Sequence, residues 1–181
     1  MKKKAFLIAR VSDVEQRQAL PAQVQRLERY AKEKGYDYEL FEFDETAYKN
    51  GRKEFFVIIK KIEAYPHDCI VVFDKIDRFS RDATQDEVRA VNKLLESGRA
   101  EMHFPSDNLF VHKGSPASDL FRLSIGVGLA KYYSDSISDN VKRRFEQKLN
   151  DGEWPGKAPI GYTNMRLSEK ETTIILDQER A

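Results

Sequence analysis

Arg10 and Ser12 stand two residues apart where the apolar run Ala5-Phe6-Leu7-Ile8-Ala9 gives out. A second apolar run, Cys69-Ile70-Val71-Val72-Phe73, ends in Asp74-Lys75-Ile76-Asp77-Arg78-Phe79-Ser80-Arg81. A guanidinium stays charged at any physiological pH and matches phosphate oxygens with paired donors. A serine hydroxyl among such groups suits attack on a phosphodiester, where negative charge must be stabilised as it spreads in the transition state. Removing one such donor often costs on the order of a hundredfold in rate. The plain alternative is a pair of strands running out into polar turns with surface ion pairs. Arg-x-Ser alone favours that alternative. Arg-x-Ser together with Asp-Arg-x-x-Arg at matching strand ends does not.

The elements around these residues must bring them together. A short apolar run so near the N-terminus reads as a buried strand, and alternation lets Arg10 and Ser12 share a face. Pro21 opens a helix with Val24, Leu27 and Ala31 on one side and Gly35 as its stop, which puts Gln23 in the opening turn. Residues 38–43 alternate apolar and acidic side chains as a half-buried strand does. A polar loop over 44–52 carries Arg52, and 53–64 form a helix with Phe55, Ile59 and Ile62 inward. Residues 68–73 are the strongest strand, being rich in β-branched types. Residues 84–97 form a helix with Val88, Val91, Leu94 and Leu95 inward and Gly98 as stop, and 101–104 a fourth strand. The loop that follows leaves room for a short strand at Leu109-Phe110-Val111.

This alternation predicts the α/β class: a mostly parallel sheet covered by helices. Functional groups in such sheets gather outside the carboxyl ends of the strands. Ser12 follows the first strand, Arg52 the second, and Asp77, Arg78 and Arg81 the third, so all are expected at one edge.

From Ser118 the pattern changes. Leu120, Leu123, Val127, Ala130, Ile137, Val141 and Phe145 keep helical spacing, and nothing stops a helix decisively before Asp151-Gly152. About 30 helical residues span roughly 45 Å, more than this domain needs for its own core. A break near Gly126 and Gly128 is the competing reading, since each glycine costs about 1 kcal/mol in a helix. One long helix whose later turns leave the domain is preferred. Its far end carries Lys142, Arg143, Arg144 and Lys148, which read equally as a solvated face or as a DNA contact. Trp154 to Tyr162, with Lys157, reads as a turn-rich linker, and Thr172–Leu176 as a strand with Asp177 as a candidate helix cap. The expected organisation is a catalytic domain over 1–117, a long helix over 118–150, and a linker with the truncated start of a second domain over 151–181. The sequence is expected to be a fragment of a longer protein.

These motifs together resemble the serine recombinases, the resolvase and invertase family, and in particular its large members such as phage integrases and transposon recombinases. The resemblance rests on Ala9-Arg10-Val11-Ser12, Pro21-x-Gln23, Arg52 and the run from Asp74 to Arg81. Lys157-Ala158-Pro159-Ile160-Gly161-Tyr162 and Ile175-Leu176-Asp177 resemble the start of the next domain in the large members. The resemblance implies that Ser12 is the nucleophile, bonded to a DNA 5′ phosphate while a 3′ hydroxyl is released. It implies that Arg10, Arg78 and Arg81 hold the scissile phosphate and that Arg52 stabilises the transition state. Gln23 and Asp77 would orient these groups, with Asp77 also placed to handle a proton. Lys142, Arg143, Arg144, Lys148 and Lys157 would meet DNA. Homodimers and homotetramers would act on double-stranded DNA at recombination sites. One departure stands out: the family usually has a serine and a glycine soon after the acidic residue ending its second strand, and here Asp44-Glu45-Thr46-Ala47-Tyr48-Lys49-Asn50-Gly51 leads to Arg52.

Composition bounds the alternatives. The net charge of the 181 residues is only +1, so any nucleic-acid binding must come from local clustering. The single cysteine, Cys69, excludes an internal disulfide framework and a cysteine metal cluster, and points to a reducing cytoplasm. The apolar part of the N-terminal segment is too short for a signal peptide, and no stretch is long enough to span a membrane. There is no phosphate-cradling Gly-x-x-x-x-Gly-Lys loop, and His67, His103 and His112 lack ligand spacing, so no cofactor or metal is expected. One phosphodiester exchanged for a phosphoester of similar energy needs no nucleotide. Two other functions remain open: a non-catalytic DNA-binding or oligomerisation module, and a small-molecule phosphate enzyme, which would need an enclosed pocket.

Overall fold

Strand β1 (Lys4–Val11) is buried from Ala5 to Val11 because it has a neighbour on each side. In the computed structural model, which describes residues 3–11, 18–44, 51–79, 86–167 and 172–178, it pairs in parallel with β2 (Asp37–Asp44) and β3 (Cys69–Phe73). β3 pairs in parallel with β4 (Ala100–Phe104), and β5 (Leu109–Val111) closes the sheet antiparallel, giving the order β2-β1-β3-β4-β5. The α/β class with a mostly parallel, helix-covered sheet is therefore the observed one.

Alternation along the strands sorts the core into two layers. Ala5, Leu7 and Ala9 of β1 and Ile70 and Val72 of β3 face helix α1 (Leu20–Glu33) through Leu27, Tyr30 and Ala31. Phe6, Ile8, Val71 and Phe73 face the other way, onto helices α2 (Gly51–Ala64) and α4 (Asp86–Ser97). Each large apolar side chain buried this way contributes roughly 1.5–3 kcal/mol. Both α1 and α4 end as expected. Gly35 at φ +68° and Gly98 at φ +82° take the left-handed position, and the N–H groups of Tyr36 and Arg99 bond back to Ala31 and Leu94 at 3.0 and 2.9 Å.

Several boundaries differ from the sequence reading. Helix α2 begins at Gly51, so Arg52 belongs to its first turn rather than to the preceding loop. A single helical turn, α3 (Ile76–Phe79), follows β3 within the stretch read only as polar. Helix α5 runs unbroken over Ala117–Asn150. Gly126 does not break it; a Cβ there would lie 2.7 Å from Ile76 Cδ1, so the missing side chain lets Ile76 pack against the helix.

The chain divides into two compact units, Met1–Tyr132 and Tyr133–Ala181, the division falling within α5. In the first unit only Leu123 and Val127 of α5 are buried. In the second, Ile137, Val141 and Phe145 are about half or more exposed. The second unit also holds an antiparallel hairpin of β6 (Tyr162–Arg166) and β7 (Thr172–Leu176). β6 was not expected. Its side chains are all exposed, so it carries no apolar pattern to betray a strand. The N–H of Asp177 extends the hairpin by donating to Gly161 O at 2.9 Å. The helix that Asp177 is expected to cap falls on residues outside the described ones.

Candidate functional site

The strand order reverses direction at β1. The chain steps from β1 to β2 on one side, then returns across to β3 on the other. α1 covers one face of the sheet and α2 the opposite face. A crevice is expected outside the carboxyl ends of the strands at such a switch point. A cleft of about 130 Å³ lies there. It is lined by Arg10 and Val11 from β1, Ala19, Gln23 and Arg26 at the start of α1, and Asp74, Lys75, Asp77 and Arg78 after β3.

Arg10 sits past the last pairing of β3, which is Ile8 with Phe73. Its backbone N–H donates instead to Gln23 Oε1 at 3.0 Å, and Gln23 is itself buried. Arg10 as a whole is 7% exposed. Its Nη2 donates to the Asp77 backbone carbonyl at 3.4 Å, and its guanidinium lies 6.0 Å from the Phe55 ring centroid. These contacts tie β1 to α1, α2 and α3 through one charged residue. The two oxygens of Asp77 are in different surroundings. Oδ2 is 3.8 Å from Arg78 Nη2, while Oδ1 is buried without a hydrogen-bond partner among the described residues.

Behind these groups lies a tighter arrangement. Arg26 grips Asp74 with a fork, Nε to Oδ1 at 3.0 Å and Nη2 to Oδ2 at 2.6 Å. Ser106 Oγ donates to Asp74 Oδ1 at 2.6 Å. Burial alone would push the Asp74 carboxyl up, but the bonds from Arg26 and Ser106 outweigh it and hold the group below the ordinary aspartate range. Asp74 is therefore a buried carboxylate held charged by its neighbours.

The Resolvase, N terminal domain family profile matches residues 5–154. The chain belongs to the resolvase family. Its fold is shared by a resolvase family site-specific recombinase from Streptococcus pneumoniae, 20% identical, with a TM-score of 0.50 over 82% of this chain and 99% of that one. It is also shared by the C-terminal catalytic domain of ISC1926 TnpA, an IS607-like serine recombinase, 19% identical, with a TM-score of 0.50 over 79% of this chain and 84% of that one. No curated protein sequence matches the chain significantly.

Of the residues singled out in this resolvase-family chain, Arg10, Gln23, Asp77 and Arg78 line the one cleft. Ser12 and Arg81 lie outside the described residues, as does the side chain of Arg52. In the second unit, Lys142 is 3.8 Å from Asp139 and Lys148 is 3.0 Å from Glu153. Arg143, Arg144 and Lys157 are exposed. Among the described residues no group of three or more His, Cys, Asp or Glu could hold a metal ion, and no helix is long and apolar enough to cross a membrane. Cys69 is buried, and that burial pushes its thiol up to about 11.

Sequence reasoning passed over Arg26 and Ser106 and gave Asp74, the first residue of the Asp74–Arg81 run, no role of its own. A signal for the first was present: Arg26 is three residues after Gln23, so the two share a face of α1. Asp74 also sits directly at the end of β3, where a side chain must meet whatever covers that edge.

Proposed function

We propose that this chain is the catalytic part of a site-specific DNA recombinase that cuts and rejoins DNA through Ser12. The Ser12 oxygen attacks a backbone phosphorus. A P–O bond to serine forms, the bond to the 3′ oxygen breaks, and the departing oxygen leaves as a 3′ hydroxyl carrying a proton. Rejoining is the reverse reaction with a different 3′ hydroxyl. Arg10, Arg78 and Arg81 hold the phosphate and offset the charge that builds on it. Arg52 adds to that stabilisation. Gln23 fixes the end of β1, and Asp77, through Oδ1, has an acceptor for a proton.

The observation that carries this reading is the meeting of Arg10 and Arg78 in one cleft, although Arg10 and Asp77 are 67 positions apart in the chain. Val11 lines the same cleft, and Ser12 is the next residue. The size of the cleft also bears on the alternative of a small-molecule phosphate enzyme. At about 130 Å³ it is below the roughly 300–1,000 Å³ of small-molecule pockets. A polymer backbone passing over an edge needs no such enclosure.

Double-stranded DNA is the substrate, and dimers or tetramers of the chain do the work in the cytoplasm. Exposed apolar side chains on α5, including Phe121, Ile125, Leu129 and Tyr132, support such assembly. The basic residues Lys142, Arg143, Arg144, Lys148 and Lys157 serve as DNA contacts. In domain terms we assign catalysis to 1–117, assembly to 118–150 and DNA binding to 151–181.

The test is covalent trapping. The wild-type chain is incubated with sheared genomic DNA, denatured, and the protein-linked DNA is recovered and sequenced. The recovered site is then made as a nicked duplex. Ser12→Ala is expected to abolish the adduct, and Arg10→Ala or Arg78→Ala to slow it about a hundredfold or more. Adducts that persist in Ser12→Ala would show the nucleophile to be another residue. Binding without any adduct, insensitive to Arg10 and Arg78, would favour the non-catalytic module.

A further inference from the structure

Three arginines line the cleft, and they are not equivalent. Arg10 and Arg78 approach it from β1 and α3. Arg26 comes from α1 with its fork already occupied by a carboxylate that is 3% exposed at the side chain. A guanidinium closed on a buried carboxylate at 2.6 Å forms a pair of no net charge, which weakens its pull on a passing phosphate although Asp74 engages only Nε and Nη2. The same carboxylate has a second grip, since Ser106 Oγ donates to Oδ1, the oxygen that also accepts from Arg26 Nε. The backbone repeats the pattern. Ser106 N–H donates to the Asp74 carbonyl at 3.1 Å, and the Asp107 side chain accepts the Ile76 N–H at 2.7 Å. The segment between β3 and α3 is thus fastened on one side to α1 and on the other to the turn over Pro105–Asp107. Directly beyond the fastening come Asp77 and Arg78.

We propose that Arg26, Asp74 and Ser106 form a brace that sets Asp77 and Arg78 at the correct distance from Arg10. They are positioning residues: they act on the phosphate through Arg78, and Arg26 does not touch it. The reaction they serve is the strand exchange proposed above, and the inference rests on that reading. The brace has the right construction for the task. A fork bond fixes orientation as well as distance, which a lysine in place of Arg26 could not do. A misplacement of about 1 Å at a reacting centre can cost on the order of a hundredfold in rate.

The experiment compares Arg26→Gln, Ser106→Ala and Ser106→Thr with the wild-type chain in three measurements. The first is the salt dependence of binding to a mixed-sequence 30-base-pair duplex. A brace leaves its slope unchanged in Arg26→Gln, whereas loss of a direct phosphate contact lowers it by about 0.9. The second is the Arg78 Nε–H resonance in arginine-labelled protein, which the brace predicts to shift in Ser106→Ala and to return in Ser106→Thr. The third is the rate of adduct formation at saturating trapped-site duplex, expected to fall about tenfold or more in Arg26→Gln and several-fold in Ser106→Ala, with recovery in Ser106→Thr. A lowered salt slope overturns the proposal, and so does an Arg78 resonance unmoved by Ser106→Ala. If Arg26→Gln fails to fold, the Ser106 pair decides alone. A parallel Ser12→Ala sample separates the two layers of inference. Adducts surviving in it sink the reaction reading, while the resonance still judges the brace.

Discussion

Helix α1 reaches across to the sheet through two polar side chains one turn apart, Arg26 and Tyr30, and the two ends handle charge in opposite ways. Arg26 meets Asp74 at the cleft, where burial of a carboxylate is offset by a guanidinium fork and a serine hydroxyl. Tyr30 meets His103, on β4, through its hydroxyl at 2.9 Å from Nδ1. Both bonds of the neutral ring are satisfied if Nδ1 accepts from Tyr30 and Nε2–H donates to Glu101 at 3.3 Å. Around this second contact lie Tyr36 and Phe110, with the rings of Tyr30 and Phe110 stacked 6.1 Å apart. Burial pushes His103 below its ordinary value, toward the uncharged ring. So one helix face fixes a charge beside the cleft and buries a neutral aromatic junction further along. Of these two α1 contacts, the charged one is the one beside the segment that carries the candidate chemistry.

The largest effect should come from breaking the charged contact on its exposed side. Arg26→Ala leaves the Asp74 carboxylate buried with Ser106 alone. Removing one partner of a buried pair costs about 3–5 kcal/mol; here roughly 2–3 is expected, because the Arg26 side chain is 42% exposed and Ser106 remains. At about 2–4 °C per kcal/mol the melting temperature should drop by roughly 5–10 °C. Asp74→Ala should cost less, since it leaves no buried charge behind. Equal losses in the two variants would mean that packing, not the unpaired carboxylate, sets the cost.

The neutral contact should be cheaper to break. Tyr30→Phe keeps the ring and its stacking on Phe110 and removes one hydrogen bond, worth about 1 kcal/mol. A thermal melt should show a fall of roughly 2–4 °C. A loss as large as that of Arg26→Ala would erase the distinction between the two contacts.

Neither contact was legible in the sequence, and the reason is physical. Arg10, Gln23, Asp77 and Arg78 could be placed at one edge because strand ends and a helix start fix them through local pattern. Arg26–Asp74 and Tyr30–His103 are separated by 48 and 73 positions. They form only once α1 has settled at one height on the sheet, and no local periodicity encodes that height. Asp74 and His103 each looked like ordinary polar residues at or near a strand end. The α5 row was legible as a row but not as to its cover. Leu120, Leu123 and Val127 have the same spacing signal, yet Leu120 is 41% exposed while the other two are buried. Periodicity reports a face and not what meets it. Arg52 shows the smaller kind of miss, a helix that starts at Gly51, two residues sooner than expected and four before its apolar stripe opens at Phe55.

Acid separates the two contacts further, through the pH at which each gives way. Asp74 has its folded value held low, so its contribution is intact above the ordinary aspartate range and is lost as pH falls through the folded value. His103 is a base whose folded value is also held low, first by burial and then by Lys3 and Lys34, with Glu101 opposing. Just below pH 6.5 the unfolded chain takes up a proton that the folded chain refuses. Stability therefore falls with pH in that window and levels off below the folded value. Both slopes have the same sign, but the histidine window opens near pH 6.5 and the carboxylate window only below about pH 4. The histidine effect is the smallest expected here: one proton, at most about 1.4 kcal/mol per pH unit, over a narrow range. Melting temperatures from pH 8 to pH 3 should begin to fall just below pH 7 in the wild type. In His103→Gln, which keeps a polar group at the junction but cannot titrate, the curve should stay flat until the carboxylate range. If His103→Gln begins to fall at the same pH as the wild type, a different group supplies the proton, and the junction at Tyr30 is not the neutral counterpart of the Arg26 brace.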